Sequence, residues 1–178
     1  YNGVVKAERP DGIGPDLNVG LRGFDHNFSD HGALGLQSWA EEVGDTESEV
    51  WAAVLADPSL VIIDSSLMPI PEGTLNPPPT LNLTIGSPIL ISDPTNLGVN
   101  RTVFVAGILK QESSIMLSGI YIQSDFAAER FDAKPQIVWF SMPNGTSVAA
   151  QETAANEIER GMIEEGVGVF VIEVAFAK

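Results

Sequence analysis

The chain of 178 residues has no cysteine, two histidines, and nine basic residues against 24 acidic ones. Without cysteine there is no disulfide, no thiolate metal site and no cysteine nucleophile. The compartment stays open on that count, because extracytoplasmic domains often lack cysteine too. A formal net charge of −15 leaves few cations to set against phosphates. That argues against nucleic-acid partners and disfavours docking on anionic lipid headgroups. No run approaches the roughly 20 apolar residues of a membrane-spanning helix, and no charged-then-apolar leader opens the sequence. Both ends fall abruptly in strand-like residues, as expected of a domain cut from a longer protein. Phosphate loops of the Gly-Lys-Ser/Thr type are missing, and so is the Gly-x-Ser-x-Gly elbow of serine hydrolases.

What is present is a globular composition, 44% hydrophobic and 19% charged, in a length that suits one domain or two small subdomains. Residues 2–8 read as a first strand and residues 17–21 as a second. Residues 23–35, rich in Gly, Asp, Asn and His, have no period and read as an exposed connection. Thr46-Glu-Ser-Glu49 is a helix start with acids in the first turn, where the helix dipole favours them. Val50, Trp51, Val54 and Leu55 form a helical stripe, which Asp57-Pro58 stops. Residues 60–64 have the continuous apolar character of a strand buried on both faces. Five prolines in residues 68–80 give an extended, polyproline-like connector and a subdomain boundary. Residues 81–109 then read as a hairpin or small β-layer, and 119–123 as a short strand before a capped helix at 124–131. Residues 135–141 read as a strand, 147–164 as an amphipathic helix with Val148, Ala155, Ile158 and Met162 on one face, and 167–176 as a final strand. The expectation is an α+β fold: a mixed sheet with helices on one face in split βαβ-type units, plus a small β-rich subdomain. Residues 1–68 with 119–178 form the α/β part, and 69–118 the insertion. Ile158 and Met162 are expected to be buried on a sheet containing strands 137–140 and 169–174.

Candidate chemistry is sparse. Asp25-His26 and Asp30-His31 make a quasi-repeat whose imidazoles and carboxylates are of the types that hold zinc. No helix is expected there to fix both histidines on one side, so a solvated loop is the preferred reading. Any Ser-His-Asp triad would have to draw on His26 or His31. The adjacent acids Glu41-Glu42 and Glu164-Glu165 suit a solvated acidic surface better than the two converging carboxylates of a glycosidase. Of the tryptophans, Trp51 and Trp139 read as core and Trp39 as exposed. Asn-x-Ser/Thr sequons at Asn27, Asn82, Asn100 and Asn144 weakly favour an exported surface. No cofactor, catalytic residue or enzymatic activity is expected.

Several passages together resemble the extracytoplasmic, MacB-like core domain of FtsX-like ABC transporter permeases. The first is Trp51-Ala-Ala-Val-Leu-Ala-Asp-Pro-Ser-Leu-Val-Ile-Ile-Asp-Ser-Ser66, a helix, an Asp-Pro stop, a buried strand and Asp-Ser-Ser. The others are residues 80–91, Val103-Phe-Val-Ala-Gly-Ile-Leu109, Gly119-Ile-Tyr-Ile-Gln-Ser124 and the closing strand–helix–strand of 137–174. The resemblance covers about residues 45–178 and rests on apolar and turn patterns. It implies a non-catalytic periplasmic or extracellular domain, transmembrane helices elsewhere in the same parent chain, and a permease dimer in the cell membrane. It also implies an ATPase subunit on the cytoplasmic side, with ATP-driven motion relayed to cargo or partner proteins. The rival readings are a secreted or surface α+β binding module and an acidic hydrolase.

Overall fold

A computed structural model of the chain describes residues 1–31, 34–96, 98–111, 118–136, 142–143 and 145–168. The chain divides into two compact units, Tyr1–Trp139 and Phe140–Lys178. In the first, the described elements are β1 (Asn2–Glu8), β2 (Leu17–Phe24), α1 (His26–His31), β3 (Leu36–Trp39), α2 (Glu47–Ala56) and β4 (Leu60–Ile63). They continue with a 3-10 turn (Ser65–Leu67), β5 (Pro88–Ser92), β6 (Asn100–Leu109), β7 (Ile120–Gln123) and α3 (Ser124–Phe131). The second unit contributes α4 (Val148–Glu164).

All seven described strands share one sheet in the order β3-β6-β4-β7-β2-β1-β5, and β5 also pairs with β6. Six strands therefore close into a ring. β6 makes this possible through its length. Its residues 100–104 pair with β5 and residues 107–109 with β3, both antiparallel, while β4 runs parallel along its other edge. The hydrogen bonds agree: Phe104 N–H donates to Ser59 O, and Val105 N–H, one residue on, donates the opposite way to Ser87 O. β2 and β7 are parallel, and β1–β2, β1–β5 and β4–β7 antiparallel. The sheet is mixed and the fold α+β, as expected. β5 and β6, from the segment expected as an insertion, hydrogen-bond into this same sheet.

Strand alternation sends Val5, Leu21, Val61, Ile63, Ile89, Ile91, Val103, Val105, Ile120 and Ile122 into one buried cluster. Leu67, Leu81 and Leu83 from the connections close it, with Ala127 and Phe131 of α3. α3 lies close on β2: a Cβ at Gly23 would stand 3.0 Å from both the Ala127 Cβ and the Ser124 Cα. The opposite face of β2 and β7 presents Phe24 and Tyr121, and these meet Phe28 of α1 and Trp51 of α2. Helices thus cover both faces, not one. The reason is visible in β7, where Ile120, Tyr121 and Ile122 are all buried. A strand apolar on both sides needs cover on both.

α2 forms as its sequence dictates. Thr46 and Glu49 make a reciprocal capping box, Val50, Trp51, Val54 and Leu55 are buried, and Asp57 is the C-cap. Within residues 23–35, expected to be irregular, Gly23 and Phe24 instead finish β2 and His26–His31 form α1. Asp25 caps that helix by accepting from the Phe28 N–H at 3.1 Å, and Phe28 is buried. The proline-rich segment is an exposed excursion over residues 71–79. Its base is tied by the Thr80 hydroxyl donating to Met68 O at 2.8 Å and Leu83 N–H donating to Leu67 O at 2.9 Å.

Asp64 follows β4 at 1% exposure. One carboxylate oxygen accepts from the Ser66 N–H at 2.7 Å and the other from the Gly119 N–H at 2.6 Å. The Asp64 N–H in turn donates to Gly119 O at 3.1 Å. One side chain therefore caps the 3-10 turn and ties the end of β4 to the start of β7. In Asp64→Asn an NH2 replaces one of these acceptors and leaves a buried N–H unpaired. The expected cost is about 1–3 kcal/mol, read as a lower urea midpoint with unchanged slope.

Burial raises the phenol pKa of Tyr121 well above its ordinary value; the Arg22 charge opposes the shift and Asp64 adds to it. The fold therefore holds the Tyr121 proton at pH values where the unfolded chain, near pH 10, releases it. The unfolded state then binds fewer protons, so stability is intact below pH 10 and falls as pH rises above it. Tyr121→Phe should flatten the alkaline fall in melting temperature by one proton's worth, about 1.4 kcal/mol per pH unit. An unchanged slope would show that Tyr121 does not titrate in this way.

In the second unit, α4 starts at the Ser147 N-cap, whose hydroxyl accepts from the Ala150 N–H, and Gly166 follows at φ 80. None of its side chains is fully buried. Ile158 and Met162 are half-buried rather than buried, and Val148 is 65% exposed. The half-buried stripe also includes Gln151, Ala154 and Ala155. Gln151 at its start and the small Ala154 and Ala155 at its centre give the helix little apolar area to sink. The strands expected at 137–140 and 169–174 lie outside the described residues.

Candidate functional site

The quasi-repeat of residues 25–31 begins just after β2, with Asp25, and continues as α1. Asp25, His26 and Asp30 are exposed, and the His31 side chain lies outside the described atoms. Asp25 is engaged as the cap, and the Ser29 hydroxyl bonds to His26 O at 3.0 Å and to Asp30 Oδ1 at 3.3 Å. Among the described residues no three His, Asp or Glu side chains converge in a way that could hold a metal. Glu41 and Glu42 are exposed on the connection from β3 to α2, and Glu164 and Glu165 are exposed at the end of α4. Among the described residues Asp64 is the one charged side chain that is buried. Both of its oxygens already hold backbone N–H groups, a structural role that leaves no free base.

A concave feature of the first unit lies at the end of β3. There an open depression of about 410 Å³ is lined by Gln37, Ser38, Trp39, Glu41, Gly44 and Asp45. It exists because the chain turns back after β3. Ala40 N–H donates to Ala106 O at 2.9 Å and Val43 N–H to Ala40 O at 3.0 Å. Next, the Trp39 indole N–H donates to Gly44 O at 3.1 Å. That bond fixes the half-buried Trp39 ring as one wall. Glu49, through the α2 capping box, accepts from Asp45 N–H at 2.7 Å and holds the far rim. Of the lining residues, sequence singled out Trp39, read as exposed, and Glu41, read as part of a solvated acidic surface. Trp51 is core, as read, and Trp139 lies outside the described residues.

This arrangement offers an aromatic wall, carboxylates at Glu41 and Asp45, and a side-chain amide at Gln37. It suits a cationic or hydrogen-bonding group. Ser38 lines the same depression, and among the described residues no hydrogen bond joins its hydroxyl to either carboxylate.

No protein-family model matches the chain, and no curated protein does. Among solved structures, the periplasmic region of MacB from Actinobacillus actinomycetemcomitans is similar at 14% identity and a TM-score of 0.47, covering 90% of this chain. A domain of a protein described as a permease from Porphyromonas gingivalis is similar at 15% identity and a TM-score of 0.42, covering 93% of this chain. The chain spans just under two thirds of the length of each, 64% of the first and 65% of the second.

Proposed function

We propose that the chain is a non-catalytic extracytoplasmic domain of an FtsX/MacB-like ABC transporter permease. The observation that supports this best is the passage over residues 51–66. The resemblance read there implies a helix, an Asp-Pro stop, a doubly buried strand and an Asp-Ser-Ser turn. α2, its Asp57 cap, β4 and the turn capped by Asp64 occur in that order. In this reading the parent chain carries membrane helices, the ATPase subunit sits on the cytoplasmic side, and two permease copies pair in the membrane. ATP-driven motion of the helices moves the domain against cargo or a partner protein. A closed ring of strands suits that task, because it moves as a body and leaves few pairings to open. The domain acts through its surface, which accords with polar side chains that are either solvated or committed to backbone groups. With a charge of −15, like copies repel, and the isolated chain should be monomeric at moderate salt.

The test is the location of the native protein. Antibodies raised against residues 1–178 should detect a membrane-bound species, and protease added outside the intact cytoplasmic membrane should cleave it. Recovery of the antigen entirely in a soluble fraction would overturn the reading.

A further inference from the structure

Ring closure gives every described strand of the first unit a partner on both edges except β3, which pairs with β6 alone among the described residues. Ala40 N–H points to β6, bonding Ala106 O. Successive residues of a strand aim their backbone groups to opposite edges, so the N–H and C=O of Trp39 face outward. The exposed Gln37 sits at the register shift between Leu36 and Ser38. This outer edge adjoins the depression walled by Trp39, with Glu41 and Asp45 on its lining. Neither carboxylate forms an ion pair among the described residues.

We propose that the outer edge of β3 is a docking site for an extended, basic segment of a partner protein. The segment adds as a strand, pairing its main chain with Trp39, and an Arg or Lys side chain enters the depression between the Trp39 ring and the Glu41 and Asp45 carboxylates. Charge complementarity selects this occupant. A free edge invites any strand, but a second copy of this chain, at −15, is repelled. A cation gains from two carboxylates and from the indole face together. Main-chain pairing with one specific side-chain pocket is the usual division of labour in strand addition. The edge is four residues long and carries a register shift, so it offers few main-chain bonds and the basic side chains must supply much of the affinity. The proposal concerns the chemistry of a partner and holds whether or not the parent chain spans a membrane.

The probe is an N-acetylated, C-amidated heptapeptide of alternating arginine and valine, titrated into the 178-residue chain and followed by tryptophan fluorescence and calorimetry. Saturable one-to-one binding is expected, at least tenfold tighter than that of the matched glutamate–valine peptide. Glu41→Gln with Asp45→Asn should weaken it at least fivefold without lowering the melting temperature. The same peptide N-methylated on the amides facing β3 should also bind at least fivefold more weakly. A fluorescence response that survives Trp39→Phe, equal affinity for the acidic peptide, or indifference to the double substitution would each overturn the proposal. Indifference to N-methylation would do the same, since it would mean that the peptide adheres by charge without adding a strand.

Discussion

Gly119→Ala is expected to remove a large share of the stability of the first unit. Gly119 has φ +138, and a Cβ built there would lie 2.2 Å from Gly20 O and 2.9 Å from Gly20 C. Both contacts are backbone atoms of β2, so no rotamer can yield. β2 and β7 run parallel from this point, Leu21 opposite Ile120, and their separation is fixed by the ladder that follows. The same residue holds both ends of the Asp64 link, donating its N–H to the carboxylate and accepting from the Asp64 N–H. Moving Gly119 away from Gly20 therefore breaks the tie to β4 as well. Backbone strain at a glycine-only conformation and an overpacked contact each cost about 1–3 kcal/mol. Their sum, about 2–6 kcal/mol, is a large share of the stability of a small domain, about 5–15 kcal/mol. Gly12→Ala separates the two contributions. Gly12 also has a left-handed φ of +71 but nothing within 4 Å of its Cβ position, so it should lose about 1 kcal/mol from strain alone. Urea unfolding followed by far-ultraviolet circular dichroism measures both. Equal midpoints for the two variants would show that the Gly20 contact relaxes freely.

The contrast between these glycines marks what sequence can and cannot say here. Local signals carried through: the helix start at Thr46–Glu49, the Asp57-Pro58 stop, the apolar run of β4 and the helix beginning near Ser147 each act within a few residues and need no knowledge of the rest. Residues 23–35 failed as a loop because Phe24 and Phe28 are separated by polar residues, and their common purpose appears only when Trp51 arrives from α2. Ring closure was equally hidden. Nothing local tells residues 100–104 of β6 that they will face β5, or residues 107–109 that they will face β3. The depression beside Trp39 depends on one indole bond to Gly44 and on the far rim held by Glu49. Its residues looked like a solvated acidic turn, which by composition they are. The Asp25, His26 and Asp30 side chains were visible as chemistry, yet Asp25 is spent on capping α1 and His26 points to no described partner set.

The second large effect should come from Trp51→Ala. Trp51 is 1% exposed and sits at the centre of the face opposite the ring's interior. Its ring lies 4.9 Å from Phe24, 5.4 Å from Phe28 and 5.9 Å from Tyr121, all edge-on. Its indole N–H donates to Leu34 O at 3.1 Å. Truncation removes a large buried side chain and leaves a cavity bordered by three rings, which costs about 3–5 kcal/mol. It also leaves the Leu34 carbonyl without its donor. Trp51→Phe keeps an edge-on ring and loses chiefly the hydrogen bond and some volume, so its cost should be smaller, about 1–3 kcal/mol. The damage should spread unevenly. α1 is only six residues long, far below the length at which a helix holds by itself, and Phe28 is its one buried anchor among the described side chains. β4 and β6 keep their ladder and their contacts on the other face. Amide exchange in Trp51→Ala should therefore speed up first at Phe28 and Ser29, whose N–H groups bond to Asp25, while Val61, Ile63 and Val105 stay protected until global unfolding. If exchange rose uniformly, the aromatic cluster would be part of a single cooperative core and α1 would owe its position to other contacts. A loss under about 1 kcal/mol, well below the range for a buried tryptophan, would mean that the cluster repacks around the missing ring.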